Sequence, residues 1–427
     1  MNKCETAYRK TFNAWTAGKY GVALELSRRF LHDFPEHDLG CVLTGIIFYE
    51  LARYHEGEQV LRRAIRILPR ERQHYAFLQM GDLHSHRGDY NKAITWFRKA
   101  LKLNSGYTRG YIDLGKLLAK KGRPGRAEAC FRKAVQCAQG PLDDAYLNLG
   151  HTLRAQGRYS KAVQCFKRTL ELNPDNKEAM VAKKDVEKAM EVLSGDSASF
   201  AKAHDFNRGW REISRAYDKD HFSHTIELAK LFLAQFPDFH VAWVWYGHSL
   251  YRVGRYSEAL RAPRRALRLF GTNRRHLVLA EFGHLHQEMG NFRQAEYWYR
   301  QGIATRNLRM NCHIYLGILL AKAGRFREAA AMHRKATCRK EGCPDEAYLN
   351  LGLVLRAQER YEQALACFQK ALEIDPHYKE AKKAITDVKQ ALELRMLGGA
   401  PRHSVTAAPR RTHCSKAQAG KKAEFQG

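Results

Sequence analysis

No stretch of this sequence stays apolar for the ~18–20 residues that a membrane span requires. Its opening residues, MNKCETAYRK, hold no apolar segment of the kind that begins a secretory leader. Together these absences lead to the expectation of an intracellular, cytoplasmic protein with no membrane span. Acidic residues are also short, with 44 Asp and Glu against 73 Lys and Arg, a formal net charge of +29. That imbalance restricts the choice of partner more than it restricts the fold. The ten cysteines include no C-x-x-C pair. Cys130, Cys165 and Cys367 fall where a helix wants a small apolar residue, so free buried thiols in a reducing compartment are expected. Motifs that carry chemistry are missing too: there is no G-x-G-x-x-G, G-x-x-x-x-G-K-[ST], H-E-x-x-H or G-x-S-x-G. His84 and His86, like His284 and His286, form H-x-H pairs, but residues two apart on a helix point about 200° from one another. Cys338 and Cys343 have no second pair to complete a metal site. No catalytic residue, cofactor or metal is therefore expected.

What is present is a repeating unit, clearest at residues 143–176, DDAYLNLGHTLRAQGRYSKAVQCFKRTLELNPDN. Its first half places Ala145, Leu149 and Leu153 on one helical face, with Gly150 in the middle and Gly157 at the end. Its second half carries Ala162, Phe166 and Leu170 at spacings of four and stops at Asn173-Pro174. The same anchors recur from Cys4, Asp38, His74 and Thr108, and again near Phe206, Val241, His276, Met310 and Asp345. A larger duplication overlies this one. Adding 202 to a landmark in the first half finds its partner in the second without a gap, so that Pro35 meets Pro237, Gly81 meets Gly283 and Tyr159 meets Tyr361. The segment AYLNLG at 145–150 returns at 347–352.

A helix-turn-helix of 34 residues in tandem resembles the tetratricopeptide repeat (TPR) family. The resemblance covers nearly all of residues 4–395. It implies an all-α TPR solenoid, a right-handed superhelix of antiparallel helix pairs in two tandem arrays of five. The first array with a capping helix would fill residues 1–193, and residues 194–205 read as a small, polar linker. The second array and its cap would fill 206–395, and 396–427 read as a disordered basic tail. Because each repeat packs only on its neighbours, an elongated spiral with no interior pocket is expected. Gly150 would let the paired helices approach closely. Pro263 stands where the first half has Leu61, inside a second helix, and predicts a kink or a late start there.

In this family the first helices line a groove that holds an extended peptide. Carried onto this chain, the groove positions are Lys116, Asn148, His151, Arg154, Trp245, His248, Tyr251, Arg252, Tyr315, Asn350 and Arg356. Amides would pair with a peptide backbone, arginines with its carboxylates, and rings with its apolar side chains. Second helices carry paired bases: Arg62 and Arg63, Arg98 and Lys99, Arg132 and Lys133, Lys167 and Arg168, Arg264 and Arg265. Stacked, these form a basic ridge. The favoured reading is a non-enzymatic adaptor whose partners are other proteins, presenting an extended peptide or an acidic segment to two linked grooves. The second reading is a nucleic-acid-associated protein that uses the ridge. The third is a targeting arm for an enzyme on another chain.

Overall fold

The repeat is a local device, and each copy folds by the same short-range logic. Small residues at Ala145 and Gly150 flatten the first helix, the left-handed Gly157 (φ 74°) ends it, and Phe166 fills the flattened surface from the second helix. The computed structural model describes residues 3–137, 140–195, 206–269, 275–305, 312–338 and 343–397. Apart from Ser194, Gly195, Met396 and Leu397, the expected linker and basic tail lie outside these residues.

The first half comprises α1 (Lys3–Thr16), α2 (Tyr20–Asp33), α3 (Asp38–Glu50), α4 (Tyr54–Ile67), α5 (Gln73–His86) and α6 (Tyr90–Leu103). It continues with α7 (Thr108–Lys120), α8 (Pro124–Gln136), α9 (Leu142–Ala155), α10 (Tyr159–Leu172) and a single α11 (Lys177–Ser194). The second half repeats the plan with α12 (Phe206–Asp218), α13 (Phe222–Gln235), α14 (His240–Arg252), α15 (Tyr256–Ala259), α16 (Arg261–Leu269) and α17 (Arg275–Glu288). It ends with α18 (Phe292–Ala304), α19 (Cys312–Lys322), α20 (Phe326–Thr337), α21 (Pro344–Ala357), α22 (Tyr361–Ile374) and α23 (Lys379–Leu397). No strand occurs among the described residues, and no helix there is long and apolar enough to cross a membrane.

Within a pair, the first-helix glycine receives one large side chain of the second. A Cβ on Gly150 would lie 2.6 Å from the Phe166 ring. The same slot is filled by Leu61, Phe97, Phe131, Tyr299, His333 and Phe368 in other pairs. Gly150→Leu is therefore expected to cost about 1–3 kcal/mol by overpacking, read as a lower urea midpoint with unchanged helix content. In the seventh pair Pro263 occupies the slot against Gly247, and the second helix is interrupted at Leu260, between α15 and α16. Proline has no N–H to bond the carbonyl four residues back, which accounts for the break.

The expected elongated spiral is corrected by the structure. The chain curls until its ends meet, and the terminal helix α23 packs on α2. One hydrophobic cluster runs through this seam, joining Ala14, Val22, Ala23 and Leu24 to Tyr361, Phe368, Val388 and Ala391. The internal cap α11 packs in the same way on α13. Neither single helix is an end cap facing solvent. Each is the joint between one array and the next, so the two arrays form a closed, pseudo-two-fold ring. Its middle is filled by turns. The Phe292 ring packs on Gly88 and the Tyr90 ring on Gly290, positions related by the 202-residue offset. The Tyr90 hydroxyl donates to the Glu288 carbonyl at 3.0 Å, and the Lys120 ammonium meets the Glu288 carboxylate at 3.1 Å. A cavity of about 530 Å³ remains beside this contact, lined from both halves by residues such as Tyr54, His86, Phe326 and Leu353. The expectation of no interior pocket is corrected with the shape, because local repeat packing does not dictate that the ends should meet.

Candidate functional site

The first helices of each array turn one row of side chains inward. In the first array, α5, α7 and α9 set Gln79, Asp82, Arg109, Asp113, Lys116, Asp144 and Asn148 along it. The Tyr49 hydroxyl donates to Gln79 Oε1 at 2.9 Å, and Arg109 Nε meets Asp113 Oδ2 at 2.9 Å. Burial raises the Asp82 and Asp113 carboxyls above the usual range, and the neighbouring Asp113 charge raises Asp82 further. Lys116 is exposed, and Asn148 donates to the Asp144 carbonyl at 2.7 Å. His151 faces Glu178 at 2.9 Å, and its pKa is lowered by burial and by Arg154. This row mixes three aspartates with Arg109, Lys116 and two amides.

The inward row of the second array is aromatic. Trp245 stacks on Tyr217, with ring centroids 4.5 Å apart and planes at 17°, and Trp210 packs against Trp245 from another side at 4.5 Å. The Tyr217 hydroxyl is 2.9 Å from His248 Nδ1, and His284 lies 4.4 Å from the Tyr315 ring. Burial, with Arg252 beside it, lowers His248 to about 4. Burial alone raises Glu281 to about 7, and no hydrogen-bond partner for it occurs among the described residues. Arg252 lies over the Phe222 ring at 4.3 Å, Tyr251 packs against Tyr256, and Asn350 donates to the Glu346 carbonyl at 2.9 Å.

Two of the anticipated groove residues are elsewhere. Arg154 and Arg356 lie in the joints between arrays, where their guanidinium groups face Asp185 at 3.5 Å and Asp387 at 2.9 Å. They are not available to a partner's carboxylates. Each aspartate also caps a helix of the next array. Asp185 accepts from the Ser223 and His224 amides, and Asp387 from those of Gly21 and Val22, all at 3.0 Å. Tyr159 donates to Glu227 at 2.8 Å in one joint and Tyr361 to Glu25 at 2.9 Å in the other.

The basic ridge is partly neutralised. Arg62 pairs with Glu58 at 2.6 Å, Arg132 with Glu128 at 2.9 Å and Arg168 with Glu171 at 2.5 Å. Arg63 and Arg265 reach Glu36 and Asp238 at 3.7 and 3.6 Å. Lys99 and Lys133 lie over the Trp96 and Tyr111 rings, while Arg98, Lys167 and Arg264 are exposed.

Comparison with known proteins places these hairpins. Models of the tetratricopeptide repeat match residues 143–176, 345–378, 108–139 and 310–334, and a further TPR repeat model matches 81–122. The chain carries tetratricopeptide repeats. Among curated relatives, human tetratricopeptide repeat protein 7A is 34% identical over 107 residues, 25% of this chain and 12% of that protein. Anaphase-promoting complex subunit 3 of Schizosaccharomyces pombe is 31% identical over 97 residues, 22% of this chain and 14% of the relative. Human protein O-mannosyl-transferase TMTC2 is 28% identical over 93 residues, 22% of this chain and 11% of the relative. Each alignment thus spans less than a sixth of the relative. Among solved structures, yeast Tom70 aligns with a TM-score of 0.43 at 12% identity, covering 93% of this chain and 97% of that one. The APC/C Cut9-Hcn1 assembly aligns with a TM-score of 0.37 at 13% identity, covering 92% of this chain and 94% of that one.

The TPR rows that sequence reasoning missed are Asp82 in the first array and Trp210, Tyr217 and His284 in the second. A signal existed for two of them. Trp210 and Tyr217 stand 202 residues after Tyr8 and Trp15, so aromatic residues recur at both positions.

Proposed function

We propose that this TPR protein is a non-enzymatic scaffold that holds extended segments of partner proteins along the inward rows of its two arrays. The observation that carries the reading is the second array's row. Trp245 is stacked against Tyr217, and Glu281 beside them is half-buried, with no hydrogen bond or ion pair among the described residues. Half-buried rings supply apolar contact at low entropic cost, and an unpaired carboxyl favours a donor. The fitting segment therefore carries apolar side chains and Lys or Arg, rather than the acidic residues expected from sequence, since Arg154 and Arg356 are already occupied.

Peptides selected from a random library on the intact protein test this. They should be enriched in Lys or Arg beside an apolar residue, and Trp245→Ala or Glu281→Gln should weaken them at least about tenfold. Selection of acidic peptides, or binding indifferent to both substitutions, would refute the reading. The nucleic-acid reading draws on Arg98, Lys167 and Arg264, and requires retention on heparin that falls steeply with salt.

A further inference from the structure

The two joints of the ring are built alike but are not equally tethered. The α11–α13 joint is connected by the chain that runs between those helices. The α23–α2 joint closes between the two ends of the chain with no connection of that kind. The seam without a tether has an additional feature. Glu359 is bonded by Arg28 at 2.5 and 2.8 Å, by Arg395 at 2.8 Å, and by Arg53. These residues come from α2, from α23 and from the turn before α4, so one carboxylate ties together both sides of the seam.

Subtracting or adding 202 finds nothing of the kind at the tethered joint. Glu359 corresponds to Gly157, Arg395 to Leu193, Arg28 to Lys230 and Arg53 to Arg255. Lys230 and Arg255 there bind Glu227 and Glu258 within their own array. The backbone at Glu359 is left-handed, as it also is at the non-glycine turn residues Ala52 and Asp220 (both φ 56°). Turns between paired helices use a left-handed residue, and most are glycines such as Gly157 (φ 74°) and Gly324 (φ 75°). Glu359 adopts φ 61° despite its side chain. What sets Glu359 apart is its side chain, a single carboxylate that bonds arginines from both sides of the seam.

The seam is also self-complementary. The α23 face that receives α2 is the same surface, with the same aspartate, arginine and tyrosine, that α11 offers to α13. That surface fits the start of an array whether or not it belongs to the same chain. We propose that the Glu359 cluster is the latch of this seam, and that a chain with the latch broken pairs end to end with a second copy of itself. Closure within one chain wins while the latch holds, because the two ends are at high effective concentration. Without Glu359, Arg395 loses its carboxylate, and Arg28 and Arg53 keep only Glu25 at 4.0 Å and Glu56, both on their own side of the seam. The open ends then offer a swapped partner the same contacts.

The test uses the full chain with Glu359→Gln, fluorophores at the exposed positions Lys10 and Lys389, and sedimentation from low to high micromolar concentration. The wild type should be monomeric with strong end-to-end energy transfer. The variant should keep its helix content and raise the open-to-closed ratio at least about tenfold, as removal of one partner from a partly buried ion cluster does. It should form dimers as concentration rises, with transfer between donor-only and acceptor-only copies. A variant that stays closed and monomeric overturns the proposal, and so does one that opens yet stays monomeric throughout. If Glu359→Gln does not fold, Arg395→Gln carries the test. It should shift both readouts in the same direction, and no shift overturns the latch.

Discussion

Asp185→Ala should lower the unfolding free energy by about 3–5 kcal/mol, the cost of leaving a buried charge without its partner. The Asp185 side chain is 1% exposed and faces Arg154, itself 11% exposed. Its oxygens also accept from the Ser223 and His224 amides in the first turn of α13. Substitution orphans two helix N-terminal donors and a guanidinium at once. Burial already lowers the Arg154 pKa, so the group depends on that carboxylate to stay charged without penalty. Asp185→Asn keeps one acceptor and should lose less. The urea midpoint of the intact chain is the readout, and a change under about 1 kcal/mol would show that the joint does not rest on this residue. Asp387→Ala should cost a similar amount, because Arg356, Gly21 and Val22 repeat the arrangement.

The contrast between these joints and the repeats shows how far the sequence is legible. The hairpins could be read because every contact that makes one lies within 34 residues, as with Gly150 and Phe166. Pro263 could be flagged because a missing N–H is a local fault. The joints could not be placed. Asp185 and Asp387 stand on amphipathic helices among lysines, and nothing local distinguishes them from solvated charges. The 202-residue offset does preserve Asp185 with Asp387, Arg154 with Arg356 and Glu25 with Glu227. Matched buried polar residues at one offset mark a repeated contact, although they do not say what is touched. Curvature was hidden for the same reason, since closure depends on small rotations summed over many pairs. Arg154 reads from sequence as a group for a partner's carboxylate, but the carboxylate it faces is Asp185 of the neighbouring helix, which no local pattern announces.

His333→Phe should stabilise the chain, and by more at pH 5 than at neutral pH. His333 sits in the glycine slot that phenylalanine fills in four other pairs. It is 0% exposed, and neither ring nitrogen has a hydrogen-bond partner among the described residues. Burial lowers its pKa to about 4. An unfolded histidine titrates near 6.5, so below that pH the unfolded chain binds a proton that the folded chain refuses. The folded state is then penalised as pH falls through the unfolded value, and the penalty stops growing below about 4. Its full size, from a shift of roughly two and a half units, is about 3 kcal/mol. Phenylalanine removes the titration and, at neutral pH, also removes two buried unpaired nitrogens, for about 1–3 kcal/mol. His224 and His248 are likewise held near 4, so the variant should keep part of the wild type's acid sensitivity. Urea midpoints of both proteins at pH 7.5 and pH 5 decide the matter. An equal gain at the two values would mean that His333 is not held neutral in its slot, and a loss at both would mean that the slot is too small for the larger ring.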